Sequence, residues 1–203
     1  MSISIVIPIY IGDEHLKQLT RDCLFSIQNM YDELIIIDDS SPLKSSEFMS
    51  VADKFMMNFE NQGYIKSANK GISSATKDFI ILVCNDTKLL RGSLKDLCNK
   101  GYTFPTIQDK DKPFWDGALY GFPRSIGGLY DERFHTYFGD LDKFYTAKQK
   151  GIQLKQTNKV DIWHQQSATT NFLEIRQSQY AKDYQAFKDK WGFDPLNDYY
   201  NLI

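Results

Sequence analysis

Three acidic positions stand where a chain of this kind can do chemistry. An Asp38-Asp39 pair directly follows the apolar run at 34–37, and Asp86 closely follows another at 79–83. A carboxylate pair at the end of a strand can accept hydrogen bonds from a nucleobase or a ribose, or it can cap the helix that follows. A single carboxylate in such a place can hold a divalent cation against phosphate oxygens, or it can be an ordinary turn residue. Taken singly, each position leaves both roles open. Between them lies Asn61-Gln62-Gly63-Tyr64-Ile65-Lys66-Ser67-Ala68-Asn69-Lys70-Gly71-Ile72. Gly63 permits a tight turn there, and the amides of Asn61 and Asn69 can bond backbone groups. Such a loop can brace strand ends against a phosphate-bearing ligand. A purely structural role would leave its place between two acidic strand ends unexplained.

The elements that must position these groups alternate in type. Residues 3–9 form a short β-branched run, and Gly12-Asp13 then offers a turn and a helix cap. Leu16, Leu19, Cys23 and Ile27 recur at spacings of three and four, one face of an amphipathic helix. Strand-like runs follow at 34–37, 55–59 and 79–83, with a short helix expected through Ile65, Ala68, Ile72 and Ala75. Continuous apolar strands separated by amphipathic helices indicate a mostly parallel sheet covered on both faces, with ligands bound beyond the carboxyl ends of its strands. The second half is less regular: a polar loop at 106–113, a strand at 117–122, a helix running to Lys150, and a strand at 160–163 ending at His164. Tyr180, Tyr184, Phe187 and Trp191 then recur at helical spacing, a stripe more often core than a carbohydrate platform.

Composition bounds the rest. The 203 residues carry 24 Lys and Arg against 26 Asp and Glu, a near balance that speaks against a dedicated nucleic-acid binder. No apolar run is long enough for a transmembrane helix, and no basic segment precedes the first apolar run as a signal peptide would require. The three cysteines, Cys23, Cys84 and Cys98, have no CxxC spacing and read as reduced thiols. A soluble, cytoplasmic domain is the expectation.

Taken together the motifs resemble an inverting glycosyltransferase of family 2 with the GT-A fold, a Rossmann-like α/β domain. The resemblance rests on Ile3-Ser4-Ile5-Val6-Ile7-Pro8-Ile9-Tyr10, Ile35-Ile36-Ile37-Asp38-Asp39-Ser40-Ser41, Glu60-Asn61-Gln62-Gly63-Tyr64 through Asn69-Lys70-Gly71-Ile72, and the run from Ile80 to Thr87. It continues with Ile126-Gly127-Gly128-Leu129-Tyr130-Asp131-Glu132-Arg133-Phe134, Tyr137-Phe138-Gly139-Asp140-Leu141-Asp142, and His164. The Asn85-Asp86-Thr87 ending and the tail at 187–192 are similar to the rhamnosyltransferase-like branch, and a virus-encoded glycosyltransferase domain is a looser fit. The resemblance implies one domain over 1–203, with a nucleotide-binding half at 1–100 and an acceptor-binding half at 101–203, and room for fusion to further domains.

It also implies roles. Pro8 and Tyr10 would line the base pocket, Asp39 would accept the base imide proton, and Asp38 would support it or the ribose. Lys66 and Asn85 would lie on the nucleotide side. Asp86 would bind Mn²⁺ or Mg²⁺ as the carboxylate of a DxD-type motif, with His164 as a second ligand or a structural residue. Asp140 would take the proton of the acceptor hydroxyl, with Asp142 as its rival. Trp115 and Asp116 would meet the donor sugar or the acceptor. The donor would be a UDP- or dTDP-sugar and the acceptor a glycan. Two departures stand out: Cys84-Asn85-Asp86 has one carboxylate in the DxD position, and Gly139 replaces the usual acidic residue before the base. A catalytically inactive nucleotide-sugar-binding module is therefore the alternative. A sugar nucleotidyltransferase would want a Gly- and Arg-rich loop where Tyr10-Ile11-Gly12-Asp13-Glu14 stands. A phosphate-accepting receiver domain would want its acidic pair after the first strand.

Overall fold

Isoleucine and valine dominate the first strand, β1 (Ile3–Ile9), and every residue of it is buried. β-branched side chains fit a pleated surface covered on both faces. The computed structural model describes residues 1–108, 117–165, 168 and 176–195. Helix α1 (Glu14–Ile27) starts where Asp13 accepts a hydrogen bond from the Leu16 amide, the expected cap. Then come β2 (Glu33–Asp38), β3 (Lys54–Met57), α2 (Tyr64–Ser74), β4 (Phe79–Val83), β5 (Thr87–Arg91), β6 (Tyr102–Ile107), β7 (Leu119–Pro123), α3 (Gly139–Gln149), β8 (Leu154–His164) and α4 (Arg176–Trp191).

One eight-stranded sheet runs in the order β3-β2-β1-β4-β7-β6-β8-β5. The four strands β3, β2, β1 and β4 are parallel, β7 is antiparallel to both β4 and β6, β6 pairs parallel with β8, and β5 closes the edge antiparallel to β8. Alternation along β1 sends Val6 to one face and Ile5 and Ile7 to the other. On the first face lie Ile65, Ala68 and Ile72 of α2 and an aromatic cluster of Phe104, Tyr120, Phe122, Phe134, Phe144 and Phe187. On the second lie Cys23 and Ile27 of α1. This is the mixed, mostly parallel single domain with helices on both faces that the sequence leads one to expect.

The departures from expectation are local. β5 and β6 are absent from the sequence reading, and residues 106–107, expected in a loop, belong to β6. Pro105 interrupts that strand's pattern and lacks an amide donor. The β6–β8 register shifts between Phe104 and Thr106, where the ladder absorbs it. β8 is longer than the expected 160–163, because its first half is exposed and polar and carries no apolar signal. The aromatic stripe of α4 is core only in part. Phe187 is fully buried against Phe134 and Phe138, and Trp191 packs edge-on against Tyr145, but Tyr180 is 38% exposed. Among the described residues, no helix is long and apolar enough to cross a membrane.

Candidate active site

The carboxyl ends of β1, β2 and β4 carry Tyr10, Asp38-Asp39 and Cys84-Asn85-Asp86, as parallel pairing of these strands requires. Asp38 is fully buried; it accepts from the Ser41 amide at 2.9 Å and from the Ser45 hydroxyl. These bonds brace the turn after β2; they are not the helix cap that the sequence left open, and they occupy the carboxylate expected to support the base or the ribose. Asp39 turns the other way. Its oxygens accept from the amides of Gln62 and Gly63 and from the Asn58 side chain, each at 2.8 Å. Those bonds fold the 58–63 segment over the end of β2. Gly63 has φ +83°, and a Cβ there would collide with His135, whose carbonyl accepts from the Ile65 amide at 3.2 Å. His135 is accordingly half-buried against the loop rather than on the open surface. Asn69 is the second brace: its amide accepts from the Tyr130 N–H at 2.8 Å and donates to the Tyr130 carbonyl at 3.0 Å. Pro8 is buried within β1, Tyr10 is half-buried just beyond it, and Lys66 is exposed on α2.

Asp86 and His164 come together. Antiparallel pairing of β5 with β8 sets Thr87 opposite His164, so His164 Nε2 lies 3.3 Å from Asp86 Oδ1. Both side chains are about nine-tenths buried. The Asp86 carboxylate is the oxygen ligand that Mn²⁺ or Mg²⁺ favours, and the His164 imidazole would be the softer second ligand. Among the described residues no set of three metal-ligating side chains occurs. Asn85, expected on the nucleotide side, is buried, and its side-chain NH₂ donates to the Thr20 hydroxyl at 2.9 Å, tying the turn to α1. Beneath the turn, burial and the Asp86 charge push the Cys23 thiol above its ordinary range, so it stays protonated.

Asp140 lies in the first turn of α3, whose N-terminus favours a negative charge. The residue before that helix, Phe138, sits in the left-handed region at φ 58°, held by the aromatic rings of Tyr180 and Tyr184. The buried Asp183 of α4 fixes the same approach by accepting from the amides of His135, Thr136 and Tyr137. Gly117 passes so close that a side chain there would strike the Asp140 carboxylate. The next residue, Ala118, accepts from the Cys84 amide at 2.8 Å and the Thr87 hydroxyl at 3.2 Å. Gly117-Ala118 thus bridges the Asp86 turn to Asp140, and the two carboxylates share one edge of the sheet. Gly139 has a packing reason: a Cβ there would run into Ile65.

Asp142, two residues on, belongs elsewhere. It is buried and accepts from Lys190 at 2.7 Å and from the Trp191 indole at 2.7 Å, so it fastens α3 to α4. Burial raises its pKa, and those two donors oppose the rise. Trp115 and Asp116 lie outside the described residues. Sequence reasoning passed over Tyr120, Tyr130, Lys143 and Asp183. A lysine on the helix face that carries Phe144 and Ala147 was the available signal.

The signature of glycosyl transferase family 2 matches residues 4–145, most of the chain. The chain belongs to glycosyl transferase family 2. A search of curated proteins finds no match. Solved structures share the fold at low identity. The mannosyltransferase PcManGT of Pyrobaculum calidifontis, in complex with GDP-Man and Mn²⁺, superposes with TM-score 0.67 at 14% identity, over 98% of this chain and 67% of that one. Staphylococcus aureus TarS 1–349 with UDP gives 0.63 at 11% identity, over 98% and 74%. GalNAc-T7 with UDP, GalNAc and Mn²⁺ gives 0.62 at 15%, over 80% of this chain and 43% of that one. This family 2 member therefore spans less than half the length of GalNAc-T7.

Proposed function

We propose that the chain is a metal-dependent, inverting hexosyltransferase that moves a sugar from a UDP- or dTDP-linked donor to a hydroxyl of a glycan acceptor. The observation that carries this reading is the bridged edge: Asp86 with His164 on one side of Gly117-Ala118, Asp140 on the other. The complexes of GalNAc-T7 and TarS with UDP support a uridine-linked donor, and that of PcManGT with GDP-Man supports the wider class of nucleoside diphosphate sugars. The half at 1–100 then serves the nucleotide, with Tyr10 against the base and the Asp39-braced loop shaping its pocket. The half at 101–203 serves the acceptor.

Asp86 and His164 would hold the divalent ion, which when bound neutralises charge growing on the leaving diphosphate. Asp140 removes the proton of the acceptor hydroxyl as its oxygen attacks the anomeric carbon from the face opposite the diphosphate. One displacement inverts that centre without a covalent enzyme intermediate. Asp142 is engaged by Lys190 and Trp191, which supports Asp140 as the base.

A second reading, a binding module without turnover, is favoured by the two-ligand metal set. Release of the nucleoside diphosphate, UDP from UDP-glucose or dTDP from dTDP-rhamnose, in Mn²⁺, Mg²⁺ or EDTA, separates the two. Metal-dependent hydrolysis of one donor supports the transferase. Binding of UDP with no hydrolysis of any donor would move the module reading ahead.

A further inference from the structure

Lys143 is almost wholly buried beneath the candidate base, one turn along α3 from Asp140. Its ammonium sits 3.9 Å from the centre of the Tyr130 ring and 5.0 Å from those of Tyr120 and Phe122, a cation against aromatic faces. Its Nζ donates to the Tyr120 hydroxyl at 2.8 Å, the Tyr120 and Tyr130 hydroxyls are 2.7 Å apart, and the Tyr130 hydroxyl donates to Asp140 Oδ1 at 2.7 Å. A phenol has one proton to give. Because Tyr130 gives its proton to Asp140, Tyr120 must give its own to Tyr130, and Lys143 must give to Tyr120. Every donor in the row points toward the carboxylate. Burial pushes both phenols well above their ordinary range, so they remain donors.

The row spans three separate elements: Tyr120 on β7, Tyr130 in the loop pinned by Asn69, and Lys143 on α3. A lysine whose only task was to fill the core would be a costly choice there, since burying an ammonium is unfavourable unless the charge is used or paired. Burial lowers its pKa to about 7, and the Asp140 charge works against that lowering.

We propose that Lys143, Tyr120 and Tyr130 act as positioning residues for Asp140, orienting its carboxylate toward the acceptor and holding it ionised through a one-directional chain of hydrogen bonds. This rests on Asp140 being the base, as proposed above. The titratable groups facing Asp140 from the packed elements are Tyr64 of α2, Tyr120, Tyr130 and Lys143, with Cys84 beside the Tyr64 hydroxyl. Tyr102 of β6 completes the ring set around Lys143.

The test compares Tyr130→Phe, Lys143→Met and Asp140→Asn in the full chain, with UDP-glucose and Mn²⁺ as first probe and dTDP-rhamnose as second. Two readouts are used: kcat and donor KM across pH, and a ¹³C-carboxyl NMR titration of Asp140 without donor. Tyr130→Phe keeps the ring and Lys143→Met keeps the volume, so folding is checked by thermal melting of both. The expected result is a kcat lowered roughly 10-fold in each with donor KM unchanged, since both act on the transition state only. The acidic limb of the kcat profile and the Asp140 NMR midpoint should both move to higher pH, because a carboxylate that loses a donor is easier to protonate. Unchanged pH limbs and NMR midpoints in both folded variants would overturn the relay. Full UDP release by Asp140→Asn would instead overturn the base assignment, whatever the other two variants did.

Discussion

Carboxylates at opposite ends of the central strands live in contrasting surroundings. At the amino end of β2, Glu33 is buried and saturated: it accepts from the Ser4 hydroxyl and from the Thr76 amide and hydroxyl, and Lys54 lies 2.8 Å away. Burial alone would raise its pKa, but Lys54, Ser4 and Thr76 outweigh that and hold it down to about 2. At the carboxyl ends, Asp86 lies 3.3 Å from the His164 imidazole, and Asp140 is half-exposed and accepts from the Tyr130 hydroxyl. A carboxylate whose needs are met by its own chain stabilises the fold. One that is half-exposed, as Asp140 is, lies within reach of a ligand or a proton. Asp140 and Asp142 repeat the contrast within a single helix turn.

The largest effect expected on breaking this contrast is at the open end. Asp140→Asn should lower kcat for the hydrolysed donor by a factor of roughly 10² to 10⁴, the contribution of a well-placed base. Steady-state UDP release checks it, and donor KM should barely move. At the closed end the loss should fall on stability. Glu33→Gln should cost about 3 kcal/mol at pH 7, from a folded-state pKa near 2 against an ordinary 4.5. The sign follows from the depressed pKa: the stabilisation is complete above about 4.5 and fades as pH falls toward 2. Urea melts of wild type and variant should therefore converge at acid pH while UDP release per folded molecule stays level. The smallest effect belongs to Asp142→Asn. It should loosen α4 by about 1–2 kcal/mol through weakened bonds from Lys190 and Trp191, with kcat within about threefold of wild type. A deficit as large as that of Asp140→Asn would reverse the assignment of the base.

Much of the parallel half was legible in the sequence because its signals are local. The continuous Ile runs, Asp13 before α1 and the acidic strand ends each lie within a few residues of what they determine. The antiparallel half was harder. Pro105 breaks β6 and the polar first half of β8 carries no alternation, so pairing rather than pattern makes those strands. The Asp86–His164 pair was foreseen through family resemblance, but its geometry arises from the β5–β8 register. Asp38 shows the limit of a motif: adjacent to Asp39 in sequence, it faces the interior because successive residues at a strand end point opposite ways. The tyrosine–lysine row could not be read at all, being assembled from positions 120, 130 and 143 only once β7 and α3 are packed.

The central claim is that the bridged edge separates donor binding, through Asp86 and His164, from proton removal, through Asp140. Calorimetric titration of UDP into wild type, Asp86→Ala and Asp140→Asn, each in Mn²⁺ and in EDTA, tests it most directly. The account predicts Mn²⁺-dependent binding that survives intact in Asp140→Asn and disappears in Asp86→Ala. Equal UDP affinity of Asp86→Ala and wild type in Mn²⁺, or of wild type in Mn²⁺ and EDTA, would contradict it.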